Sequence, residues 1–339
     1  MSGVGGVGRP PDLGRPVRAA VVQAASVYMD REATIRKAAD LVRDAAGRGA
    51  RLIVFPEAFV PAYPWSLRFG TSVGRRSLAG REAFARYWAN AVDVPGPATE
   101  ALGAAAREAG AYVVVGVIER DSTYSRGTLY CTVLFFGPDG RLLGTHRKLK
   151  PTAAERYIWG EGDGSTLTVL STDIGRLGAL VCWENYMPLA RMAMYAKGVE
   201  LYVTPTADSR DSWQATIRHV ALEGRCFVLS ACQYLTKAMV PRDVEVYDEL
   251  AGAPEVLSRG GSAIVAPLGD YLAGPLFGEE GILVADLDPA LLAQGKYDFD
   301  VVGHYARPDV FRLVVNERPQ RPVSVEVEDF PDPARDPRG

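Results

Sequence analysis

Gly178-Ala179-Leu180-Val181-Cys182-Trp183-Glu184-Asn185 joins an apolar run of strand character to polar text at a single cysteine. A thiol in that position leaves a buried β-strand at the rim of a sheet, where ligands reach it. Cys182 is therefore a candidate nucleophile, and the remaining sequence is read for what positions or activates it.

Around this stretch strands alternate with helices. Upstream, residues 165–170 and 176–182 bracket a tight turn at Asp173-Ile174-Gly175; downstream, helical text runs over 185–197. A strand at 200–204, a helix over Asp211–Gly224, a strand at 226–231 and late strands near 262–266 and 282–286 follow. The N-terminal half opens with a strand from Val17. Ile35, Ala38, Ala39, Val42 and Ala46 then recur at helical spacing within 30–47, and Leu52-Ile53-Val54-Phe55 is a short apolar strand closed by Pro56. A helix over 98–109, a strand at 112–117 and a hairpin turning at Pro138-Asp139-Gly140 and ending near Lys148 complete this half. Hairpins mixed into an alternating pattern predict an α/β chain whose sheets are not purely parallel. Two sheets packed face to face with helices outside would bury this many apolar strands.

With 339 residues, 47% of them hydrophobic and 23% charged, the chain can bury one large core. It is read as one large domain over 17–291, preceded by a Gly- and Pro-rich disordered lead over 1–16. An extension over 292–339 follows, ending in a Pro-, Asp- and Arg-rich tail. A net charge of -3 provides no long-range positive field, which argues against a nucleic-acid or anionic-membrane partner. No apolar run approaches the roughly 18–20 residues that span a bilayer. Cys131, Cys182, Cys226 and Cys232 lack the paired close spacing of a zinc site and are too few for a disulfide scaffold. Taken singly, each reads as a buried free thiol, so the compartment is expected to be reducing and cytoplasmic.

A cysteine nucleophile needs a base or a neighbouring positive charge. Of the three histidines, His219 lies on a helix face with Arg218 and Glu223 nearby in sequence, and His304 lies outside the strand-end pattern. His146 stays open as a partner, since alternation places it on the side of Lys148. Better candidates occupy strand ends. Glu57 follows Leu52-Ile53-Val54-Phe55 as Cys182 follows its own run, and a carboxylate among Phe55, Pro56, Phe59, Tyr63 and Trp65 is poorly solvated and hence more basic. The competing reading is an exposed glutamate beginning a loop. Lys148, stopped by Lys150-Pro151-Thr152, can stabilise an anionic intermediate, or can be a solvated strand end. Glu155 can orient that lysine, or pair with Arg156 at the surface.

Phe55-Pro56-Glu57-Ala58-Phe59, His146-Arg147-Lys148-Leu149-Lys150-Pro151-Thr152 and Cys182-Trp183-Glu184-Asn185 resemble, in order, the three signature blocks of the nitrilase superfamily of carbon–nitrogen hydrolases. The resemblance covers about 17–291 and continues into 302–309. Trp-Glu-Asn after the cysteine, with Met187-Pro188-Leu189-Ala190-Arg191 and Ala207-Asp208-Ser209-Arg210-Asp211, is similar to the true nitrilases, of the bacterial aryl or arylaliphatic and plant types. The resemblance implies a four-layer α-β-β-α sandwich. It implies Cys182 as nucleophile, Glu57 as general base, Lys148 as stabiliser of tetrahedral intermediates and Glu155 as the lysine's second carboxylate. It implies a nitrile substrate and water, no metal or organic cofactor, and homo-oligomers built from dimers joined through the helices flanking the nucleophile, in some members extended into spirals. Tyr63, Trp65, Trp183, Tyr186 and Met187 are expected to line the substrate pocket because they adjoin the motifs; each alone is equally a core residue. An amidase or carbamoylase of the same superfamily, and a non-catalytic binding member, are the competing functions.

Overall fold

The computed structural model describes residues 15–323. The first half runs β1 (Val17–Gln23), α1 (Arg31–Gly47), β2 (Leu52–Val54), a small hairpin of β3 (Thr71–Ser72) and β4 (Arg75–Arg76), α2 (Leu78–Ala89), β5 (Val92–Asp93), α3 (Pro97–Ala109), β6 (Tyr112–Arg120), β7 (Leu129–Phe136) and β8 (Leu142–Arg147). The second half runs β9 (Val169–Thr172), β10 (Gly175–Ala179), α4 (Pro188–Ala196), β11 (Leu201–Thr206), α5 (Asp211–Gly224), β12 (Phe227–Cys232), β13 (Tyr234–Thr236), β14 (Val256–Val265), β15 (Tyr271–Phe277), β16 (Gly281–Leu287) and α6 (Ala290–Gly295).

Among the described residues these strands form two seven-stranded sheets. One has the order β16-β1-β2-β6-β7-β8 with β5 beside β6; the other has β13-β14-β12-β11-β10-β9 with β15 beside β14. Each has a parallel centre (β1-β2-β6 and β10-β11-β12) and antiparallel flanks, as the mixture of crossovers and hairpins predicts. Strand alternation divides the apolar side chains between layers. Ala19, Val21, Leu52, Val54 and Val114 of the first sheet meet Leu177, Ala179, Val203 and Leu229 of the second. On the outer face of the first sheet, Ala20, Val22, Ile53 and Val113 pack under Ile35, Ala38 and Val42 of α1 and Leu102 and Ala106 of α3. Tyr202 and Val228 of the second sheet pack under Ala193 and Met194 of α4 and Trp213, Ile217 and Val220 of α5. The architecture is the four-layer α-β-β-α sandwich.

Several boundaries differ from expectation for local reasons. The strand read through to Cys182 ends at Ala179, and Cys182–Tyr186 is a 3-10 turn. The helix read from 185 starts only at Pro188, because a proline drives the residue before it out of the helical region; Met187 is extended at φ -86°, ψ 103°. Residues 165–170 split into a 3-10 turn, Gly164–Thr166, and β9, since Thr166 turns its hydroxyl to the N–H of Arg147 and its carbonyl to His146. Helix α2 and the β3-β4 hairpin were not anticipated. Loop 236–258 buries Val240, Val244, Val246 and Leu250 in the inter-sheet core, and Glu249 accepts the backbone N–H groups of Arg68 and Gly70. Residues 296–323 have no regular helix or strand and are tied back by Lys197–Glu317 (2.8 Å) and Gln320 N to Asp163 Oδ2 (2.7 Å). Residues 1–14 of the lead read over 1–16, and residues 324–339 of the extension with its whole tail, lie outside the described residues. Among the described residues no helix is long and apolar enough to cross a membrane.

Candidate active site

After β2, Phe55 still donates its N–H to Val114 O (2.8 Å), holding the chain against β6. Pro56 and Glu57 then cross Gly116 so closely that a Cβ there would stand 2.3 Å from Pro56 O and 2.8 Å from Glu57 Cα. Only glycine permits that approach. Glu57 is thereby turned inward and fully buried, not exposed at a loop. Its Oε2 accepts the N–H of Ala207 (2.9 Å), just past the end of β11, and its Oε1 accepts Lys148 Nζ (2.6 Å) and, at 3.5 Å, the Cys131 thiol.

Lys148 follows β8, with its N–H on Cys131 O (2.8 Å) and its carbonyl receiving Gly162 N–H (2.8 Å). Its side chain is buried, contrary to a solvated strand end. Nζ spans two carboxylates, Glu57 Oε1 and Glu155 Oε2 (2.7 Å), leaving one ammonium proton unassigned. Glu155 sits on the 3-10 turn Ala153–Tyr157, accepts Thr152 N–H (2.6 Å) and the Tyr63 hydroxyl (2.6 Å), and does not pair with Arg156.

Cys182 opens its 3-10 turn at φ 50°, left-handed backbone in which a non-glycine residue costs on the order of 1 kcal/mol. The turn is held by Asn185 Nδ2, which donates to Leu180 O and Cys182 O (both 2.9 Å). The sulfur accepts from Thr206 Oγ1 (3.2 Å), whose oxygen in turn accepts Asp208 N–H (2.9 Å).

Protonation follows from burial. Glu57 is pushed up to about 7, first by loss of solvent, with Lys148 opposing and Glu155 reinforcing. The Cys182 thiol is raised by burial and then by the Glu57 charge, so it rests as S–H. Burial disfavours the Lys148 ammonium, yet the charges of Glu57 and Glu155 around it carry its affinity for the proton well above the ordinary value. The lysine is a fixed cation, and Glu57 is the group that exchanges protons near neutrality. If it serves as base, kcat/KM should rise through pH 6–8 with an acidic limb centred near 7, because only the carboxylate above that value accepts the thiol proton. A pH–rate profile checks this; a limb near the ordinary glutamate value of 4.5 would exclude Glu57 as the titrating base.

His146 is not a partner of Cys182. It is fully buried, with Nδ1 2.8 Å from Thr166 O and Nε2 2.9 Å from Glu184 Oε2. A carbonyl and a carboxylate both require donors, and although burial opposes charge on the ring, Glu184 raises its proton affinity, so His146 is an imidazolium. Glu184 also takes the N–H of Leu149 (2.6 Å) on Oε1 and of Val181 (2.5 Å) on Oε2. One carboxylate thus ties the residue after Lys148 to the residue before Cys182, across the two sheets. Glu184→Gln replaces one acceptor with an NH2 group facing a donor. We expect a stability loss of roughly 2 kcal/mol by denaturant titration and a fall of about 10²-fold in kcat from misplacement of the sulfur. Unchanged kcat would show that the strand ends hold without it.

The thiol opens into a cleft of about 210 Å³ lined by Tyr63, Trp65, Glu155, Trp183, Asp208 and Arg210, among others. A larger cavity, about 360 Å³, lies elsewhere and does not reach the sulfur. Of the expected lining residues, Tyr63, Trp65 and Trp183 are in the wall. Tyr186 and Met187 are not: the 3-10 turn carries them outward, where Tyr186 packs edge-on against Trp183 and Trp213 and Met187 is exposed. Sequence reading gave no role to Thr206, Asp208 or Arg210. Asp208 fixes Trp183 through its indole N–H (2.9 Å), while Arg210 pairs with Asp208 and lies 5.0 Å over the indole. The available signal was a polar cluster just past the end of β11, the same placement that singled out Glu57 and Cys182.

Residues 18–297 match the family model described as carbon-nitrogen hydrolase. The chain belongs to the carbon–nitrogen hydrolase family. It is 58% identical over 307 residues to an aliphatic nitrilase of Sinorhizobium fredii (strain HH103), covering 90% of this chain and 97% of that one. It is 51% identical over 313 residues to nitrilase 2 of Arabidopsis thaliana, with 91% of each covered, and 53% identical to a bifunctional nitrilase/nitrile hydratase of Lupinus angustifolius, with 91% and 88% covered. These relatives put this carbon–nitrogen hydrolase in the nitrilase branch, as an enzyme acting on carbon–nitrogen bonds. Its fold matches a carbon-nitrogen hydrolase from Helicobacter pylori G27 at a TM-score of 0.68 and 20% identity, over 88% of this chain and 98% of that one.

Proposed function

We propose that the protein hydrolyses an organic nitrile to the carboxylic acid and ammonia through a covalent adduct on Cys182. The observation that carries this is Lys148 suspended between Glu57 and Glu155 beside a buried thiol that opens into the cleft. Glu57 takes the thiol proton as sulfur attacks the nitrile carbon, and returns it to nitrogen to give a thioimidate. A water, deprotonated by Glu57, adds to that carbon. Proton transfer to nitrogen then expels ammonia and leaves a thioester, and a second water releases the acid and restores S–H. Charge in the tetrahedral states would fall near the third Lys148 proton and the Trp183 N–H, an orphan donor at the start of its turn. No step draws on a metal or organic cofactor. The catalytic unit is 17–291, with 292–339 an appended extension.

Aromatic walls and small volume suit an arylacetonitrile-like or short aliphatic nitrile, and the Sinorhizobium fredii relative is named for aliphatic substrates. Loss of thiolate instead of ammonia from the tetrahedral state gives amide, consistent with the bifunctional name of the lupin relative. A second copy of the chain is the proposed partner: Tyr186, Met187, Leu189 and Leu222 are exposed on or beside α4 and α5. The test is a panel of arylacetonitriles, benzonitriles, aliphatic dinitriles and β-cyanoalanine with ammonia, acid and amide quantified. Acid and ammonia should appear from at least one nitrile while the matching amide stays intact. Hydrolysis of amides with nitriles untouched would move the assignment to the amidases.

A further inference from the structure

The cavity of about 360 Å³ away from Cys182 has a distinctive wall. Its floor is apolar, from Leu67, Phe69, Phe84 and Ile158, and its rim carries three arginines, Arg68, Arg76 and Arg81. No acidic residue lines it, whereas each of the other four cavities described has at least one carboxylate in its wall. The chain as a whole has three more acids than Lys and Arg together, so general basicity does not explain the cluster. Several arginines elsewhere are neutralised, Arg18 by Asp286, Arg120 by Asp93 and Arg191 by Glu223 among them. Among the described residues these three guanidinium groups make no ion pair. The carboxylate of Glu249 reaches only the backbone N–H groups of Arg68 and Gly70.

Three like charges around an apolar hollow repel one another unless an anion joins them, and guanidinium groups bind carboxylates in paired, directional hydrogen bonds. The cavity size lies within the usual range of small-ligand sites. We propose that this cavity is a binding site for an organic carboxylate with an apolar body, the chemical class of the product of the reaction proposed above. Its wall includes Ala154 and Tyr157 of the 3-10 turn whose Glu155 holds Lys148 and receives the Tyr63 hydroxyl. The segment that supplies Leu67 and Phe69 also supplies Tyr63 and Trp65 to the cleft. An occupant would therefore brace the turn that carries Glu155 from its far side, linking accumulated acid to turnover.

The inference rests on the nitrile reading only for the choice of ligand, because binding is read without turnover. Titration calorimetry with phenylacetate should show binding to the wild type that weakens tenfold or more in Arg76→Ala/Arg81→Ala. Both residues are exposed and outside the cleft, so turnover of nitrile in the absence of acid should stay within about twofold of wild type. In the wild type, added phenylacetate should lower kcat, and the double variant should lose that effect. Equal affinity in the variant would place the acid in the catalytic cleft and overturn the site. Equally tight binding of inorganic phosphate, or of neutral 2-phenylethanol, would overturn it as well, by showing that the floor or the charges play no part. A protein that binds phenylacetate through Arg76 and Arg81 yet leaves every nitrile intact would keep this site and sink the nitrile reading.

Discussion

Cys182→Ala is expected to lose nitrile turnover by a factor on the order of 10⁴ or more, with the fold retained. Every other bond to the substrate carbon in the proposed sequence is made or broken while that carbon is attached to this sulfur, and no second thiol lines the cleft; the nearby Cys131 is buried under Glu57. The loss should appear in kcat and kcat/KM together, since the walls formed by Tyr63, Trp65 and Trp183 remain. Stability should change by roughly 1 kcal/mol at most, because alanine keeps the Asn185 hydrogen bonds to the turn and gives up one sulfur contact, to Thr206. Full turnover by the alanine variant would refute a covalent route. Mass spectrometry of the wild type quenched during turnover should show an acyl adduct on the peptide carrying Cys182, absent from the variant.

Lys148→Ala should be nearly as damaging to activity and far more damaging to the fold. The ammonium is fully buried between two carboxylates, and removing it leaves Glu57 and Glu155 facing one another without compensation. Breaking a buried pair of this kind costs about 3–5 kcal/mol. Glu57, already raised to about 7 with the lysine in place, would be driven further up and hold its proton at neutral pH. Loss of the base in its working form adds to the 10²–10³-fold cost of a missing oxyanion donor, so a deficit of at least about 10³ in kcat is expected. The stability deficit has a definite pH dependence. A carboxylate whose folded pKa is raised above the ordinary value of 4.5 is harmless when protonated and destabilising when ionised. The variant should therefore recover relative to wild type as pH falls from 8 toward 5, and denaturant titrations at the two pH values check this. Lys148→Arg should rescue much of the stability and little of the rate, since a planar guanidinium keeps the charge but not the position of a compact ammonium.

Some of this was legible in one dimension. Glu57 and Cys182 each follow an apolar run and Lys148 ends a strand after Thr145-His146-Arg147, and the sheet period alone brings such termini toward the same end of a sandwich. The layering followed from strands that are apolar on both faces and from helices such as α1 with one apolar stripe. The pairings were not legible, because they join residues far apart in the chain. Glu155 had Arg156 beside it in sequence, yet its partners are Lys148 and Tyr63, 92 residues away in the latter case. His146 looked like a candidate for the thiol because alternation sets it beside Lys148, while its true partner, Glu184, lies 38 residues on and inside a signature block. Asp208 and Thr206 offered only a polar cluster after a strand. Helix α2 was missed because its text, with Arg81, Glu82 and Arg86 and just three buried positions, carries a weak apolar stripe.

Strand β16 has a consequence for how the chain is made. It pairs antiparallel with β1 over its whole length, from Val17↔Leu287 to Gln23↔Gly281. On a ribosome β1 emerges first and its outer neighbour only after more than 250 further residues have been added. At about 5–20 residues per second, β1 waits roughly 10–50 s as an open edge, its N–H and C=O groups facing outward and its apolar side chains ready to pair with any passing strand. The first sheet is thus complete only once Gly281–Leu287 has been made, and a chain shortened before Gly281 would leave β1 as a permanent template for aggregation.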